Sequence, residues 1–406
     1  MPRTCEKNDR TTIRGLLSPL VFYGFGAAGY LALLTAAALR ECSETTVPTT
    51  TPQRLFSFLI PAHNEEHTLP HLLESIENLA YPPHRRQVVI VADNCTDATA
   101  LIARRAGATV LERHDQTRIG KGYALDFGIS WILEQPGDPN DAILILDADS
   151  EIDASCLLWL NDAFSTGAVA LQSYYTVTAP SSSTPAALRY LALSLYHYVR
   201  PLGRKRLGLS AGLRGNGMAF TRACLARVPW QAHGLTEDVE QHMLFLKQGI
   251  RVDFVPQAIV RAEMPSTFQV AASQNRRWER GRLLLARQSP RLIWESIRRR
   301  HPMLIEAAIE QLVAPLSICS GLILFSSILS FLTQSRLLRL LSIASVASLL
   351  FHVVAGLRLA HVPPALSRSL LRLPLYMTWK WWIWLQAALR PVAIWQRTQR
   401  HGEGHS

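Results

Sequence analysis

Hydrophobic positions along this chain fall into three zones. Residues 16–39 carry no charge over 24 positions. As a helix rising about 1.5 Å per residue, such a stretch crosses a hydrocarbon core of about 30 Å. A signal peptide is the competing reading, because Ala36, Ala37 and Ala38 offer small residues near its end. The run is longer than a usual signal core, and later segments favour a membrane helix. A second uncharged run covers 311–333, interrupted by Pro315, which a helix tolerates near its start. A third, 340–356, contains His352 and suits a hairpin partner, giving expected helices over about 311–333 and 337–357. The last segment, 371–390, is crowded with Tyr376, Trp379, Trp381, Trp382 and Trp384 around a central Lys380. Aromatic residues gather at headgroup depth, so it reads as an interfacial helix in preference to a further span.

The middle of the chain has a different rhythm. After a Thr/Pro linker at 45–52, short apolar runs alternate with helical patterns. Leu55–Ile60 and the short Thr109–Leu111 read as strands, and Val88–Val91 and Ile143–Leu146 as buried strands. Thr68–Leu79, Thr96–Ala106 and Tyr123–Leu133 read as helices between them. This βαβαβ order predicts an α/β, Rossmann-like domain with a parallel sheet, over about 51–290. An N-terminal segment, 1–50, and a C-terminal membrane region, 291–406, flank it.

Ligands in such sheets sit beyond the carboxyl ends of the strands. The polar clusters follow the strands there: His63-Asn64-Glu65, Asp93-Asn94 and Asp147-Ala148-Asp149. No GxGxxG follows the first strand and no GxxxxGK[ST] occurs, which argues against dinucleotide oxidoreductases and P-loop NTPases. The Asp147/Asp149 pair on a strand-to-loop turn suits a hard divalent ion that also bridges a diphosphate; alone, it equally suits a solvated acidic loop. Asp93 is placed to accept hydrogen bonds from a base or ribose, or to cap a turn, and Asp97 reads as a first-turn acid of the next helix. Thr236-Glu237-Asp238 opens a helical stretch, with a carboxylate facing either a pocket or solvent. In Gln274-Asn275-Arg276-Arg277-Trp278, Arg277 suits phosphate oxygens and Trp278 a sugar ring, while an amphipathic juxtamembrane helix also explains the run.

Composition narrows the class. The chain of 406 residues has 48% hydrophobic and only 18% charged residues, which excludes a disordered protein. Its six cysteines include no CxxC, so neither a disulfide framework nor a zinc pattern is present. The net charge of +11 admits nucleic acid, anionic lipid or a phosphorylated substrate as partner. Its placement decides among them. Residues 163–236 contain eight Lys/Arg and no acid, 276–300 nine against two, and 358–400 seven against none. These stretches flank apolar runs in place of aromatic platforms, so nucleic acid is not expected as a partner; anionic headgroups and a phosphate site are. If 16–39 crosses once and 311–356 twice, the basic tail shares a side with the central domain. The positive-inside rule makes that side cytoplasmic, in a multi-pass inner-membrane protein.

Taken together, these motifs resemble the processive-type, membrane-integrated family 2 glycosyltransferases, such as cellulose, chitin, hyaluronan and poly-N-acetylglucosamine synthases. The strand-end Asp93, the DxD at Asp147/Asp149, the TED ending in Asp238 and the QxxRW at Gln274–Trp278 occur in that family's order. Pro61–Glu66 and Gly120-Lys121-Gly122 resemble its other elements. The resemblance covers about residues 54–290 and implies a GT-A fold with inversion at the anomeric carbon. It implies that Glu65, Asp93 and Lys121 contact the donor nucleotide, and that Asp147 and Asp149 hold its diphosphate with Mg²⁺ or Mn²⁺. Asp238 would be the general base, beside Glu237, while Gln274, Arg277, Trp278 and Gly215 would hold the diphosphate and acceptor. Gly215-Asn216-Gly217 lacks the aromatic-Cys form of cellulose synthases, and Asp93 follows Ala92 where the family often has a second Asp.

The expected reaction moves a sugar from a nucleotide-sugar, a UDP-sugar on this resemblance, to a growing polysaccharide. The alternative is one sugar added to a membrane lipid, since ceramide glucosyltransferases and related enzymes share this motif order. So few spans make a meagre export channel. A polymer product therefore implies a homo-oligomer or a partner export subunit. A non-enzymatic basic scaffold is the remaining reading, and the ordered carboxylates weigh against it.

Overall fold

The computed structural model describes residues 3–40, 47–264 and 267–389. An eight-stranded sheet forms the centre, in the order β3-β2-β1-β4-β7-β6-β8-β5. Its strands are β1 (Phe56–Ala62), β2 (Arg86–Asp93), β3 (Thr109–Arg113), β4 (Ala142–Ile145), β5 (Ser150–Ile152), β6 (Ala170–Val177), β7 (Met218–Thr221) and β8 (Asp253–Ala262). The four strands read from the sequence are parallel neighbours, with Leu59 opposite both Val89 and Ile145. Beyond them the sheet is mixed, with β6 and β8 parallel. β7 lies antiparallel between β4 and β6, and β5 pairs antiparallel with β8. The reason is visible in the residues. The wholly buried β6 contains Gln172 and Ser173, whose polarity interrupts an apolar run. β5 has only three residues.

Strand alternation divides the core between the two faces of the sheet. Phe56, Phe58 and Ile60 of β1 pack with Leu69, Leu72 and Ile76 of the Leu69–Glu77 helix on one face. Leu59, Val89 and Val91 pack with Leu125, Ile129 and Ile132 of the Lys121–Glu134 helix on the other. Gly128 makes that close approach possible, because a Cβ there would stand 2.4 Å from Leu59 Cδ1.

The apolar helices pack directly onto this domain. The first runs from Arg3 to Ala38, with Leu17–Ala38 long and apolar enough to cross a membrane. Arg336–Leu359 also qualifies. The run expected over 311–333 is broken. Pro302–Leu312 and Leu316–Leu332 meet at a 70° bend, and qualify only if the bent pair is one span. Pro315 lacks an N–H and disfavours helix at Ala314, so it starts a new helix where continuation was expected. Among the described residues there are thus two candidate spans, or three with the bent pair.

The Phe268–Arg298 helix runs through residue 290, where the sequence reading divides the chain. Along it lies the Leu373–Leu389 helix, held by a buried ion pair. Lys380 Nζ lies 2.6 Å from Glu279 Oε1 and donates to Asn275 Oδ1 at 2.9 Å. Arg276 reaches Gln386 Oε1 at 3.2 Å, and Phe268 packs its ring on Tyr376 and Trp379. Lys380, expected near headgroups, is therefore a protein contact. Of the seven basic residues of 358–400, Arg390, Arg397 and Arg400 lie outside the described residues.

Removing one partner of a buried pair leaves an uncompensated charge, at a cost of about 3–5 kcal/mol. Lys380→Ala is expected to lower the thermal midpoint sharply. The double change Lys380→Met with Glu279→Leu is expected to restore most of it.

Candidate active site

Three parallel strands end at one edge of the domain, and each delivers a carboxylate. β1 runs into Glu65, β2 ends on Asp93, and β4 is followed by Asp147 and Asp149. They line a cavity of about 570 Å³. All eleven residues singled out from the sequence line it: Glu65, Asp93, Lys121, Asp147, Asp149, Gly215, Glu237, Asp238, Gln274, Arg277 and Trp278. They come from segments more than 200 residues apart, so only the fold brings them together.

Lys121 sits at their meeting point. It opens the Lys121–Glu134 helix, and its Nζ donates to Asp147 Oδ1 and to the Gly215 carbonyl, each at 2.5 Å. Glu237 Oε1 lies 3.9 Å away. Burial alone would lower this ammonium's pKa, but Asp147, Glu237 and Asp238 together hold it above the ordinary value. Gly122, next in sequence, presses against the loop before the TED. A Cβ there would stand 2.2 Å from the Ala232 carbonyl oxygen.

Glu237 and Asp238 open the Glu237–Lys247 helix, where the helix dipole favours negative charge. Burial nevertheless raises both carboxyls, with Glu237 pushed up to about 7. Gly215 has φ +79°, and a Cβ on it would reach within 3.6 Å of Asp238 Oδ2. The strand-end loop therefore passes directly beside that carboxylate. Gly281 of the Phe268–Arg298 helix approaches Thr236 more closely still, leaving no room for a Cβ.

The other residues are held as follows. Glu65 Oε2 accepts from Thr68 Oγ1 at 2.7 Å. Asp93 Oδ1 accepts from Arg113 Nη1 at 2.6 Å. Burial raises the Asp93 carboxyl, and Arg113 works against that rise. Asp97 lies just before the next helix, outside its first turn, and accepts from the Thr99 N–H at 3.0 Å. Arg277 has its pKa lowered by burial, opposed by Glu237 and Asp147. Trp278 has the Arg189 guanidinium 4.9 Å from its ring centroid, so one face is already covered. Gln274 Oε1 is buried with no hydrogen-bond partner, an acceptor facing a ligand volume.

Several residues lining or supporting the cavity escape the motifs. Asn216 accepts from the Asp147 N–H at 3.2 Å and donates to Ser150 Oγ at 2.8 Å, fixing the DxD turn. Glu263 reaches the Asp149 carbonyl through its backbone N–H at 3.4 Å. At the inner end stand Tyr175, Tyr196, His197, Arg214 and Arg282. The acid-free basic stretch 163–236 was the available signal. Its arginines 189, 200, 204, 214 and 222 are buried, so they do not meet headgroups as expected.

Asp147 and Asp149 offer oxygen donors only, which fits a hard cation such as Mg²⁺ or Mn²⁺. Among the described residues no three His, Cys, Asp or Glu side chains form a metal cluster. An ion here would therefore need further donors from substrate or water.

Mixed strands with carboxylates gathered at the parallel edge are the arrangement of a GT-A fold. The chain belongs to the glycosyltransferase like family 2, which matches residues 52–281. A probable glycosyltransferase of Bacillus subtilis, YdaM, is 27% identical over 237 residues, 55% of this chain and 54% of that one. The beta-monoglucosyldiacylglycerol synthase of Nostoc is 28% identical over 236 residues, 55% of this chain and 48% of that one. The chain thus spans about half the length of these curated relatives. Among solved structures, the mannosyltransferase PcManGT of Pyrobaculum calidifontis, in complex with GDP-Man and Mn²⁺, superposes with a TM-score of 0.52 at 18% identity. That match covers 85% of this chain and 99% of the other, and supports the fold.

Gly122→Ala forces the Ala232 loop to move, an overpacking cost of about 1–3 kcal/mol. The variant is expected to fold with a lowered thermal midpoint and to lose most transfer activity, read as labelled product per unit of folded protein.

Proposed function

We propose that this protein transfers a single sugar, with inversion, from a nucleotide-sugar to a lipid-borne acceptor at a membrane surface. The observation that carries this reading is the shape of the cavity. One end is lined by strand-end carboxylates and the other by elements packed against the apolar helices, with Asp238 between them. The inner wall includes Gln311 of the bent helix pair and the turn bearing Tyr196. That turn abuts the Arg336–Leu359 helix so closely that a Cβ on Gly356 would stand 2.6 Å from Leu195 Cδ2. A relative named for glucosyldiacylglycerol synthesis supports a lipid acceptor.

In this reading Glu65 and Asp93 hold the nucleoside, and Lys121 and Arg277 its diphosphate. Asp147 and Asp149 would hold a divalent cation, which when bound neutralises charge developing on the departing diphosphate. The acceptor hydroxyl oxygen bonds to the anomeric carbon as the bond from that carbon to the diphosphate oxygen breaks. The electron pair leaves with the nucleoside diphosphate, and the hydroxyl proton passes to Asp238. Glu237 raises the affinity of the pair for that proton. Gln274 and the open face of Trp278 position the sugars. The candidate spans anchor the protein with its transferase domain on the cytoplasmic side, where the basic tail also lies.

Protein purified in detergent, given a labelled UDP-sugar, Mn²⁺ and extracted membrane lipid, is expected to yield one glycolipid that does not lengthen. A ladder of long products would establish polymer synthesis instead. Asp238→Asn is expected to reduce turnover about 10²–10⁴-fold while leaving UDP binding intact.

Because burial lifts Glu237 to about 7 and raises Asp238 with it, the pair releases its proton near neutrality. A base must be ionised, so activity falls as pH drops. kcat/KM is expected to fall about tenfold per unit on the acid side of this region and to level off above it. A profile flat from pH 5 to 8 would remove the pair from the proton transfer.

A further inference from the structure

The inner end of the cavity is rich in guanidiniums. Arg214 and Arg282 line it; behind them Arg200 shares the Tyr196 ring, Arg204 shares Glu310 and Arg189 covers Trp278. Three of them contact one ring: Arg214, Arg282 and Arg200 lie 4.3, 4.8 and 4.9 Å from the centroid of Tyr196. The neighbouring carboxylates are already committed. Glu310 pairs with Arg204 at 2.8 Å and Arg214 at 3.3 Å, Glu306 with Arg204 at 2.8 Å, and Glu279 with Lys380 at 2.6 Å. Besides Glu237 and Asp238 nearer the donor end, six cations therefore face three carboxylates. Among the described residues, no carboxylate stands at ion-pair distance from Arg189, Arg200 or Arg282. Burying unbalanced charge in this way is costly.

Two further observations bear on the same region. Arg200 is 4% and Arg214 7% exposed, and the Nε of each has no hydrogen-bond partner. Arg214 lines the cavity and directly precedes Gly215, the glycine that passes beside Asp238. The segment Ser194–Val199 is a π-helix, an irregularity frequent at functional sites, and it carries Tyr196 and His197 into the cavity wall.

We propose that this inner end is an anion subsite, in which a phosphate group of the acceptor sits against Arg214 and Arg282 and directs the acceptor hydroxyl toward Asp238. Guanidinium forks match phosphate oxygens pairwise. The proposal rests on the reading of the outer cavity as the donor site and adds the chemical class of the acceptor. A phospholipid headgroup and a soluble phosphorylated acceptor share this chemistry.

The test titrates the full chain, in an uncharged detergent, with dioctanoyl phosphatidic acid, glycerol 3-phosphate and dioctanoylglycerol, read by calorimetry and thermal stabilisation. UDP with Mn²⁺ is titrated separately. Phosphatidic acid is expected to bind at least tenfold more tightly than dioctanoylglycerol. Arg282→Gln is expected to abolish that preference while UDP affinity stays within twofold. Arg189→Gln, which leaves the Glu310 pairings untouched, serves as a second variant and is expected to weaken phosphatidic acid at least threefold. Glycerol 3-phosphate binding as tightly as the lipid would support the anion subsite with a soluble acceptor. Far weaker binding would support it with a lipid. Equal affinity for phosphatidic acid and dioctanoylglycerol, or Arg282→Gln without effect, would overturn the subsite even where UDP binds. Failure of UDP itself to bind would instead overturn the donor reading.

Discussion

The ammonium of Lys121 holds the site together. It reaches a carboxylate of the DxD turn and a carbonyl of the Gly215 loop, and it faces the first carboxylate of the TED helix. Without that cation, Asp147, Glu237 and Asp238 would repel one another in a buried space. With it, three distant segments share one point. The close glycine contacts follow from the same constraint. Gly122 lets the lysine's helix start against the Ala232 loop, and Gly281 lets the Phe268–Arg298 helix reach Thr236. The site is compact because the backbones approach where side chains are missing.

The first half of the domain was legible because its chemistry and its periodicity coincide. β1, β2 and β4 are short apolar runs, and each is followed at once by polar residues with little reason to be there except a site. The second half was not. β6 places Gln172 in the core, where its Nε2 donates to the Asn216 carbonyl at 2.8 Å. Polar residues that serve the loop entering a neighbouring strand look like surface residues in a sequence. The partnership of Asp93 with Arg113 was hidden for a related reason. Arg113 ends β3, and only the parallel pairing of β2 with β3 sets it opposite Asp93.

Charge was the feature most altered by the structure. A basic stretch free of acids suggested contact with lipid headgroups. Five of its arginines instead turn inward, and Arg204 and Arg214 meet acids supplied from elsewhere in the chain. Glu306 and Glu310 stand on the Pro302–Leu312 helix, about one hundred residues from Arg204. Tyr30 of the first apolar helix completes the set, donating to Glu306 Oε1 at 2.6 Å. Sequence counts local charge, whereas burial pairs charge across the fold. The same network joins the transferase domain to the helices that would anchor it, so the two are one packed body at this point.

The π-helix at Ser194–Val199 has a further implication. A π turn contains one residue more than the α turn it replaces, and an α-helix advances about 100° per residue. Loss of a single residue here would therefore rewind the segment as ordinary helix. Everything upstream would rotate by roughly that angle relative to the Arg200–Arg206 helix, which Gly203 holds against Leu34. Tyr196 and His197 would then leave the cavity wall with no change in their identity. The shape of the inner end of the cavity is thus encoded as a residue count, and an insertion or deletion reshapes it in one step.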